Sequence, residues 1–384
     1  MRGSAVVVGG GLGGLTAAVA LRHVGWEVVV LERAPEFGEV GAGVGVMPNA
    51  MRALDALGLG AAVRERGTPR VAGGIRDSRG RALSRLPAGR LEAAHGRPVA
   101  VHRADLHAVL RSALPSECLV NSAEVLEVTP GVRYRREGEH VTLRPDVVVA
   151  ADGIRSRVRQ RLWLDVPAPV YAGATAWRAV TGPDFPHLDE MTQVLGPGTE
   201  AGVLPLDRGR VYWYVATVCP PGGSAPDELA EVRRLVGHWA GPLPELVEAT
   251  DPAVLLRHDI YELATPPGTF VHGNVALLGD AAHAMTPYLG QGACQAVEDG
   301  VTLAAALAGH PDVAAGLAEY DRQRVPRTRA VGKRSRLLGR LGHQVRNPVL
   351  VKLRDLTLRV MPARAGLRGL TAVMDWRPPE LPAA

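Results

Sequence analysis

Residues 277–299 read LLGDAAHAMTPYLGQGACQAVED. The apolar run that ends at Leu278 predicts a buried strand, and Gly279 permits a tight turn that leaves the Asp280 carboxylate at the carboxyl end of that strand. A loop with proline and two glycines, residues 286–292, leads into a predicted helix. The first N–H groups of a helix are unpaired and carry partial positive charge. We therefore expect a flat, electron-rich ligand against the start of this helix.

A second glycine turn lies near the start of the chain, where residues 4–31 show the pattern strand, turn, helix, strand. Gly9, Gly11 and Gly14 form a GxGxxG motif, and Glu32 follows Gly14 by eighteen residues. Such a motif binds dinucleotides because the glycines allow a tight turn, a close pyrophosphate and close helix packing, while the acid accepts hydrogen bonds from a ribose. The sequence therefore predicts an adenosine diphosphate site here.

Other turns support the same site. The apolar run over 146–151 predicts a buried strand that ends at Asp152-Gly153, and a helix that returns to the α/β core is expected to start at Arg103. Residues 37–49 form another glycine-rich loop, whose lack of bulk suggests backbone packed against a ligand ring. Because ligands bind at the carboxyl ends of strands in open α/β sheets, we expect these turns to surround one long ligand.

Between Val170 and Tyr261 the pattern changes to short alternating strands separated by turns, with a covering helix over 227–239. One strand from Arg210 is expected to present Tyr212 and Tyr214 on one face and Trp213 on the other. This sequence pattern predicts an antiparallel-sheet (α+β) domain. The domain is inserted in an α/β, Rossmann-like chain that ends in a helical C-terminal segment.

The predicted division has six parts: nucleotide-binding segments at 1–70, 98–168 and 263–310, substrate-domain segments at 71–97 (a hairpin) and 169–262, and a C-terminal helical segment at 311–384. The hairpin is expected to pair 71–76 with 82–86, and a small meander is expected over 118–128 and 132–143.

The composition limits the classes of partner that this protein is expected to bind. The 384 residues carry a formal charge of +5, almost all of the positive charge is arginine, and no basic element is interleaved with aromatic residues, which disfavours a nucleic-acid partner. No run is long enough to span a bilayer; the basic run that ends at Arg346 is either a solvated helix face or a contact with an anionic membrane surface. Three cysteines without metal-ligand spacing predict no metal site and a reducing, cytoplasmic setting. The oligomeric state stays open.

The set of GxGxxG, Glu32, Arg103, Asp152-Gly153 and the 279–292 motif resembles the single-component FAD monooxygenases typified by para-hydroxybenzoate hydroxylase and salicylate hydroxylase. The resemblance covers essentially the whole chain. It implies bound FAD, NAD(P)H and O2 as co-substrates, and transfer of oxygen from a flavin C4a-hydroperoxide to an aromatic or polycyclic small molecule.

The resemblance also implies roles for residues. Glu32 would bind the adenosine ribose, Arg103 the phosphates or ribityl chain, and Asp280 a ribityl hydroxyl, while Asp152-Gly153 would also serve the approach of NAD(P)H. The full set of expected FAD contacts is Gly9, Gly11, Leu12, Gly13, Gly14, Glu32, Arg33, Gly45, Val46, Arg103, Val125, Asp152, Gly153, Asp280, Pro287, Gly290, Gln291, Gly292 and Ala293.

The substrate side is predicted from position. We expect Met47, Tyr212, Tyr214 and Tyr288 to line the substrate pocket, with Pro287 and Tyr288 at the flavin, and we count Pro287, Tyr288, Tyr214 and Arg178 as the catalytic candidates. Arg178 is a candidate polar anchor. His283 and Cys294 are interpreted as structural residues.

Alternatives remain on the same scaffold: epoxidation, or flavin reduction without oxygen. A flavin halogenase is disfavoured because we find neither its lysine near the flavin nor its Trp-rich motif. From another class, a non-catalytic flavin-binding protein is possible, although the retained 279–292 and Asp152-Gly153 motifs argue against it.

Overall fold

The computed structural model describes residues 2–38, 41–69, 71–84, 88–183, 185, 188, 190–362 and 371–382. Its strands are β1 Ser4–Val8, β2 Glu27–Leu31, β3 Gly43–Val46, β4 Gly67–Pro69, β5 Val71–Asp77, β6 Ala82–Ser84, β7 Val99–His102, β8 Leu119–Val120, β9 Glu124–Glu127, β10 Val132–Arg136, β11 Glu139–Leu143, β12 Val147–Ala150, β13 Val170–Val180, β14 Glu190–Leu195, β15 Thr199–Pro205, β16 Val211–Thr217, β17 Leu256–Glu262, β18 Val271–His272 and β19 Val275–Leu277.

The helices alternate with the strands in the first part of the chain and dominate its end. They are α1 Leu12–His23, α2 Pro48–Ala56, α3 Gly60–Glu65, α4 Ala88–His95, α5 Arg103–Ser112, α6 Arg157–Leu162, α7 Glu228–Val236, α8 Leu243–Glu248, α9 Asp280–His283, α10 Gly292–Gly309, α11 Val313–Leu341 and α12 Pro348–Val360. None of the described helices is long and apolar enough to cross a bilayer.

A six-stranded sheet in the order β18-β19-β12-β1-β2-β8 is the centre of the fold. Its strands β19, β12, β1, β2 and β8 run parallel, and its middle strands are almost entirely valine. Continuous apolar runs of this kind are typical of parallel strands covered on both faces. The predicted α/β fold class is confirmed.

Helices α1 and α10 pack on each other against this sheet with very close backbones. A Cβ built on Gly300 of α10 would lie 2.8 Å from the backbone nitrogen of Ala17 in α1. That separation is far below van der Waals contact, so the two helices can meet this closely only with glycine at this position. Their mutual position is therefore fixed by backbone contact.

A seven-stranded sheet in the order β17-β13-β16-β15-β14-β5-β6 stands over the carboxyl edge of the first sheet. Helices α7 and α8 cover its outer face, where Trp213 is fully buried. Tyr212 and Tyr214 point to the opposite face, so the predicted alternation of this strand is confirmed. The hairpin β5–β6 is a part of the same sheet; residue 86, its predicted end, lies outside the described residues.

Two local predictions were wrong, and one strand was missed. Residues 43–46 of the expected glycine loop form strand β3, which pairs with β7. The expected first meander strand is divided, because Leu119–Val120 joins β2 in the central sheet and only Glu124–Glu127 enters the meander. Strand β14 was not predicted at all. Each of these strands is short and gains its stability from partners distant in sequence, which periodicity does not reveal.

Candidate functional site

A cleft of about 1510 Å³ lies between the carboxyl edge of the central sheet and the inner face of the seven-stranded sheet. Strands β1, β12 and β19 are neighbours, and the turns that follow them bring Gly11, Asp152 and Asp280 to the cleft. A side cavity of about 240 Å³ continues past Glu32 and Val125. The parallel sheet thus joins three turns that are far apart in sequence, as the sequence predicted.

Two glycines and an acid determine the shape of the turn that follows β1. Gly9 has a φ of +105°, and a Cβ there would lie 2.4 Å from the carbonyl oxygen of Ala151. A Cβ on Gly14 would lie 2.0 Å from the carbonyl oxygen of Gly9. The Glu32 carboxylate accepts a hydrogen bond from the Gly10 nitrogen at 2.7 Å. Glycine at these places and the acid at the end of β2 therefore hold the turn in one shape.

Two helices begin at the cleft without a side-chain cap. The N-cap residues are Gly11 for α1 and Gln291 for α10, and neither of them caps the first backbone N–H groups of its helix with a side-chain oxygen. A Cβ built on Gly292 meets no atom within 4 Å, so bare backbone faces open space there. Unpaired N–H groups at a helix start bind anionic oxygens. The α1 end suits a pyrophosphate, and the α10 end suits an electron-rich ring.

Asp152 carries an acceptor that no described group satisfies. Its Oδ2 accepts from the Val158 nitrogen at 3.2 Å, but its Oδ1 is buried without a partner within the described residues. Buried acceptors are nearly always paired, so a donor from a ligand, such as a ribose or ribityl hydroxyl, fits this atom. Together with the cleft, its side cavity and the two uncapped helix starts, this observation shows that the residues fit FAD.

Most of the predicted cofactor residues line the cleft or its side cavity. They are Gly9, Gly11, Leu12, Gly13, Glu32, Arg33, Gly45, Arg103, Val125, Asp152, Gly153, Asp280, Pro287, Gly290, Gly292 and Ala293. Three others do not. Gly14 packs on β1, Val46 is in the core, and the buried Gln291 side chain accepts from Asn49.

A buried charge cluster supports the 279–292 motif from beneath. The Asp299 carboxylate accepts from the Gly279 nitrogen at 2.9 Å, lies 2.6 Å from Nε2 of His283, and accepts from Nε of Arg324 at 2.6 Å. Burial alone would raise the pKa of Asp299, but the charges of His283 and Arg324 outweigh it and lower that pKa to about 2. His283 therefore serves the scaffold, and its ring is not directed to a substrate.

Glu298 adds a second contact to α11 and extends the cluster to α2. Its carboxylate accepts from Arg324 and from Arg327, both at 2.6 Å, and also from the Asn49 amide at 2.6 Å. Cys294, one turn earlier, is buried near the Met47 nitrogen at 3.5 Å, and burial raises its thiol pKa to about 12. These contacts tie α10 to α11 and α2, and they keep Cys294 an inert packed residue.

The inner face of the seven-stranded sheet forms the other wall of the cleft. Arg178 on β13 is the register partner of Tyr214 on β16, and both line the cleft with Tyr212 and Met47. Burial and the neighbouring Glu200 raise the pKa of the Tyr214 hydroxyl, which therefore stays a neutral donor. Arg178 forms no salt bridge with any residue that the structure describes.

Tyr288 lies beside two buried groups, His343 and Glu200. Its hydroxyl lies 3.4 Å from Nε2 of His343, while Nδ1 of His343 lies 3.2 Å from Oε2 of Glu200 and forms no hydrogen bond within the described residues. His343 is fully buried, whereas Tyr288 and Glu200 both reach the cleft. The sequence analysis missed Glu200 and His343. A lone acid in the apolar strand β15 was a signal for Glu200; His343 had none, because only the fold brings it to that strand.

The chain is similar to known proteins over nearly its whole length. Residues 2–335 match the family model described as FAD binding domain. The chain is 38% identical over 365 residues to an aurachin C monooxygenase/isomerase of Stigmatella aurantiaca, which covers 93% of this chain and 94% of the relative. It is 33% identical over 340 residues to an FAD-dependent urate hydroxylase of Klebsiella pneumoniae, covering 85% and 86%.

A solved structure shows the same fold. The Klebsiella pneumoniae protein HpxO in complex with FAD and uric acid superimposes with a TM-score of 0.87 at 30% identity, covering 97% of this chain and 96% of that one.

We predict that Asp299→Asn lowers the free energy of unfolding by about 3–5 kcal/mol at pH 7, because Arg324 loses a buried partner. The folded pKa of about 2 lies below the ordinary 3.8, so this carboxylate stabilises the fold above pH 4 and its contribution of about 2 kcal/mol is lost as the pH falls towards 2. Urea unfolding at pH 7 and pH 3 measures both effects. Glu137→Gln, at a side chain that is 80% exposed, is the control, and equal pH dependence of Asp299→Asn and parent would contradict the assignment.

We predict that Gly292→Val removes bound FAD while the protein stays folded, because the new side chain enters open cleft space and meets no protein atom. Gly309→Val, at the other end of α10 and also in open space, is the matched control. Visible flavin absorbance per protein and the thermal unfolding midpoint measure the two effects. Normal flavin content in Gly292→Val would show that the cofactor does not lie at this helix end.

Proposed function

Because this chain belongs to the FAD binding domain family of FAD-dependent monooxygenases and hydroxylases, we propose that it hydroxylates an aromatic or polycyclic small molecule with NAD(P)H and O2 as co-substrates. The observation that carries the proposal is the position of a mostly apolar sheet face, with Arg178, Glu200 and Asp259 as its charged members, opposite the uncapped helix start at Gly292. Bound FAD would supply the activated oxygen. The chain would bind the cofactor and the substrate, orient the substrate and keep water out of the cleft.

The proposed cofactor orientation follows from the two ends of the cleft. The side cavity at Glu32 and Val125 takes the adenosine, and the N–H groups after Gly11 face the pyrophosphate. Asp280 holds a ribityl hydroxyl, and the backbone from Gly290 to Ala293 faces the pyrimidine edge of the flavin. In this orientation the partial positive charge at the α10 start stabilises negative charge that develops on the reduced ring.

The substrate side is suited to a ring with an ionisable O–H or N–H group. Arg178 stabilises the oxyanion of such a ring, and an ionised ring is richer in electrons and so reacts faster with an electrophilic oxygen. Tyr214 and Tyr288 donate hydrogen bonds, and His343, at 3.4 Å from the Tyr288 hydroxyl, takes up through that hydroxyl the proton that the substrate loses. Uric acid, named with the Klebsiella relative, belongs to this class of fused heteroaromatic acids.

The direct test is a panel of phenols, hydroxyquinolines and hydroxylated polycycles incubated with the FAD-loaded protein, NADH or NADPH, and isotopically labelled O2. A product that gains one labelled oxygen atom supports the proposal. Cofactor consumption with only hydrogen peroxide as product is uncoupled oxidation. Product formation without oxygen would replace the proposal with a reductase, and a labelled epoxide would replace hydroxylation with epoxidation.

A cytoplasmic setting stays a prediction. The three cysteines are free thiols in the structure, as a reducing compartment requires. Fractionation of the producing cells tests it directly.

We predict that Arg178→Gln raises the KM of the preferred substrate by about tenfold or more, because a charge-assisted contact is lost, while FAD content stays normal. Arg257→Gln is the matched control: it lies on the same sheet, but its guanidinium faces Trp177 and Glu228 on the outer side. Steady-state kinetics and flavin absorbance measure both effects. An unchanged KM in Arg178→Gln would remove this residue from the substrate site.

We predict that Tyr288→Phe keeps FAD and folds normally but lowers kcat by about tenfold to a hundredfold at low pH, because the proton chain to His343 is interrupted. At high pH, where the substrate ionises in solution, the rate should approach that of the parent. The pH profile of kcat is the measurement, and Tyr134→Phe, in the core away from the cleft, is the control. A profile identical with that of the parent would disprove the role of Tyr288.

A further inference from the structure

The exposed apolar side chains of this protein are concentrated in one place. Nine of the twelve exposed large hydrophobic side chains among the described residues lie within 337–361. Leu337, Leu338 and Leu341 are on the last turns of α11, and Val349, Leu350, Leu353, Leu356 and Val360 are on α12; these eight residues are called the leucine face below. The two helices are neighbours, because Arg354 of α12 donates to the carbonyl oxygen of Gly342 just after α11. Soluble proteins rarely leave so many apolar side chains exposed in one region without a partner.

The outward direction of the leucine face is fixed by the packing of α12. Val349, Leu353, Leu356 and Val360 recur at helical spacing on one side of the helix, 72%, 57%, 56% and 67% exposed. On the opposite side the buried Arg354 guanidinium donates to the carbonyl oxygens of Gly196 at 3.2 Å and Gly342 at 3.0 Å. The helix is therefore attached to the body through Arg354 and the half-buried residues around it, and it presents a second, exposed apolar side to the surroundings.

Positive charge surrounds the leucine face. Residues 333–361 contain eight Lys or Arg and a single acid, Asp355, which is paired with Arg354 at 2.7 Å. Arg336 and Arg359 are paired with Glu262 and Asp77 from other parts of the fold, so the excess of positive charge comes from the remaining cations of the segment. Both lysines of the chain, Lys333 and Lys352, are in this segment and exposed, and their long stems allow the charge to stay in water beside a buried apolar face. A leucine face with a basic rim is typical of helices that lie in the headgroup region of a bilayer.

The leucine face is continuous with the mouth of the cleft. Leu337 and Leu338 are 53% and 45% exposed and also line the cleft, together with Arg334. We propose that the leucine face docks on an anionic lipid bilayer and that the cleft opens onto the bilayer surface. A second copy of this chain fits less well, because a symmetric contact between two such faces would bring the two basic rims together. The docking does not depend on the proposed hydroxylation.

The test is sedimentation of the full-length, FAD-loaded protein with sucrose-loaded vesicles. Vesicles of phosphatidylglycerol and phosphatidylcholine in equal parts should bind the protein, and vesicles of phosphatidylcholine alone should bind it far more weakly. Added salt should weaken the binding, since the basic rim attracts the anionic headgroups. Failure of the parent to sediment with the anionic vesicles would overturn the proposal.

Substitutions in the leucine face test whether these residues contact the bilayer. Leu353→Gln with Leu356→Gln should weaken binding at least about tenfold, since two leucines no longer enter the apolar layer, and Lys352→Glu should weaken it about fivefold or more. Val254→Gln, at a side chain that is 44% exposed elsewhere, is the matched control and should bind like the parent. Normal binding by the double leucine variant would overturn the proposal. So would a dimer in sedimentation velocity that the same variant converts to a monomer, because the face would then serve a second copy.

Discussion

The buried carboxylate of Asp299 holds the parts of the cofactor site in one arrangement. It contacts the backbone at Gly279, the ring of His283 and the guanidinium of Arg324 within 2.9 Å, and so connects the end of β19, the turn α9 and helix α11 to helix α10. None of these groups is exposed to water, so each requires the others: removal of any one leaves a charge or a polar atom without compensation. The 279–292 motif thus has a rigid support that its own sequence does not contain.

The two walls of the cleft have different physical requirements. The cofactor wall consists of backbone, with glycines where a side chain would collide with a neighbouring strand or enter the ligand space. The substrate wall consists of side chains from one face of a sheet, whose other face is closed by Trp213 and two helices. A side chain on the inner face can change without a change in the sheet core. The fold therefore allows different substrates to be bound over one unchanged cofactor.

Much of the fold and the cofactor wall could be predicted from sequence because their requirements are local. The glycine turn, the acid at Glu32 and the 279–292 motif each need particular residues at fixed short spacing. The pairing of Glu200 with His343 and the parallel contact of β14 with β5 could not be predicted, because each depends on elements distant in the chain. The side chains of Val46 and Gln291 are buried in the core, so these two residues can offer only their backbone to the cofactor. Position in a motif does not fix side-chain direction.

The close backbone contact at Gly300 has a consequence for the cofactor site. Helices α1 and α10 carry the two uncapped ends of the cleft, and any side chain larger than hydrogen at position 300 would push them apart at Ala17. The two ends belong to different helices, so such a shift would move them relative to each other. A substitution at this buried glycine, remote from the ligand, would therefore disturb the binding of a ligand that has to meet both ends at once.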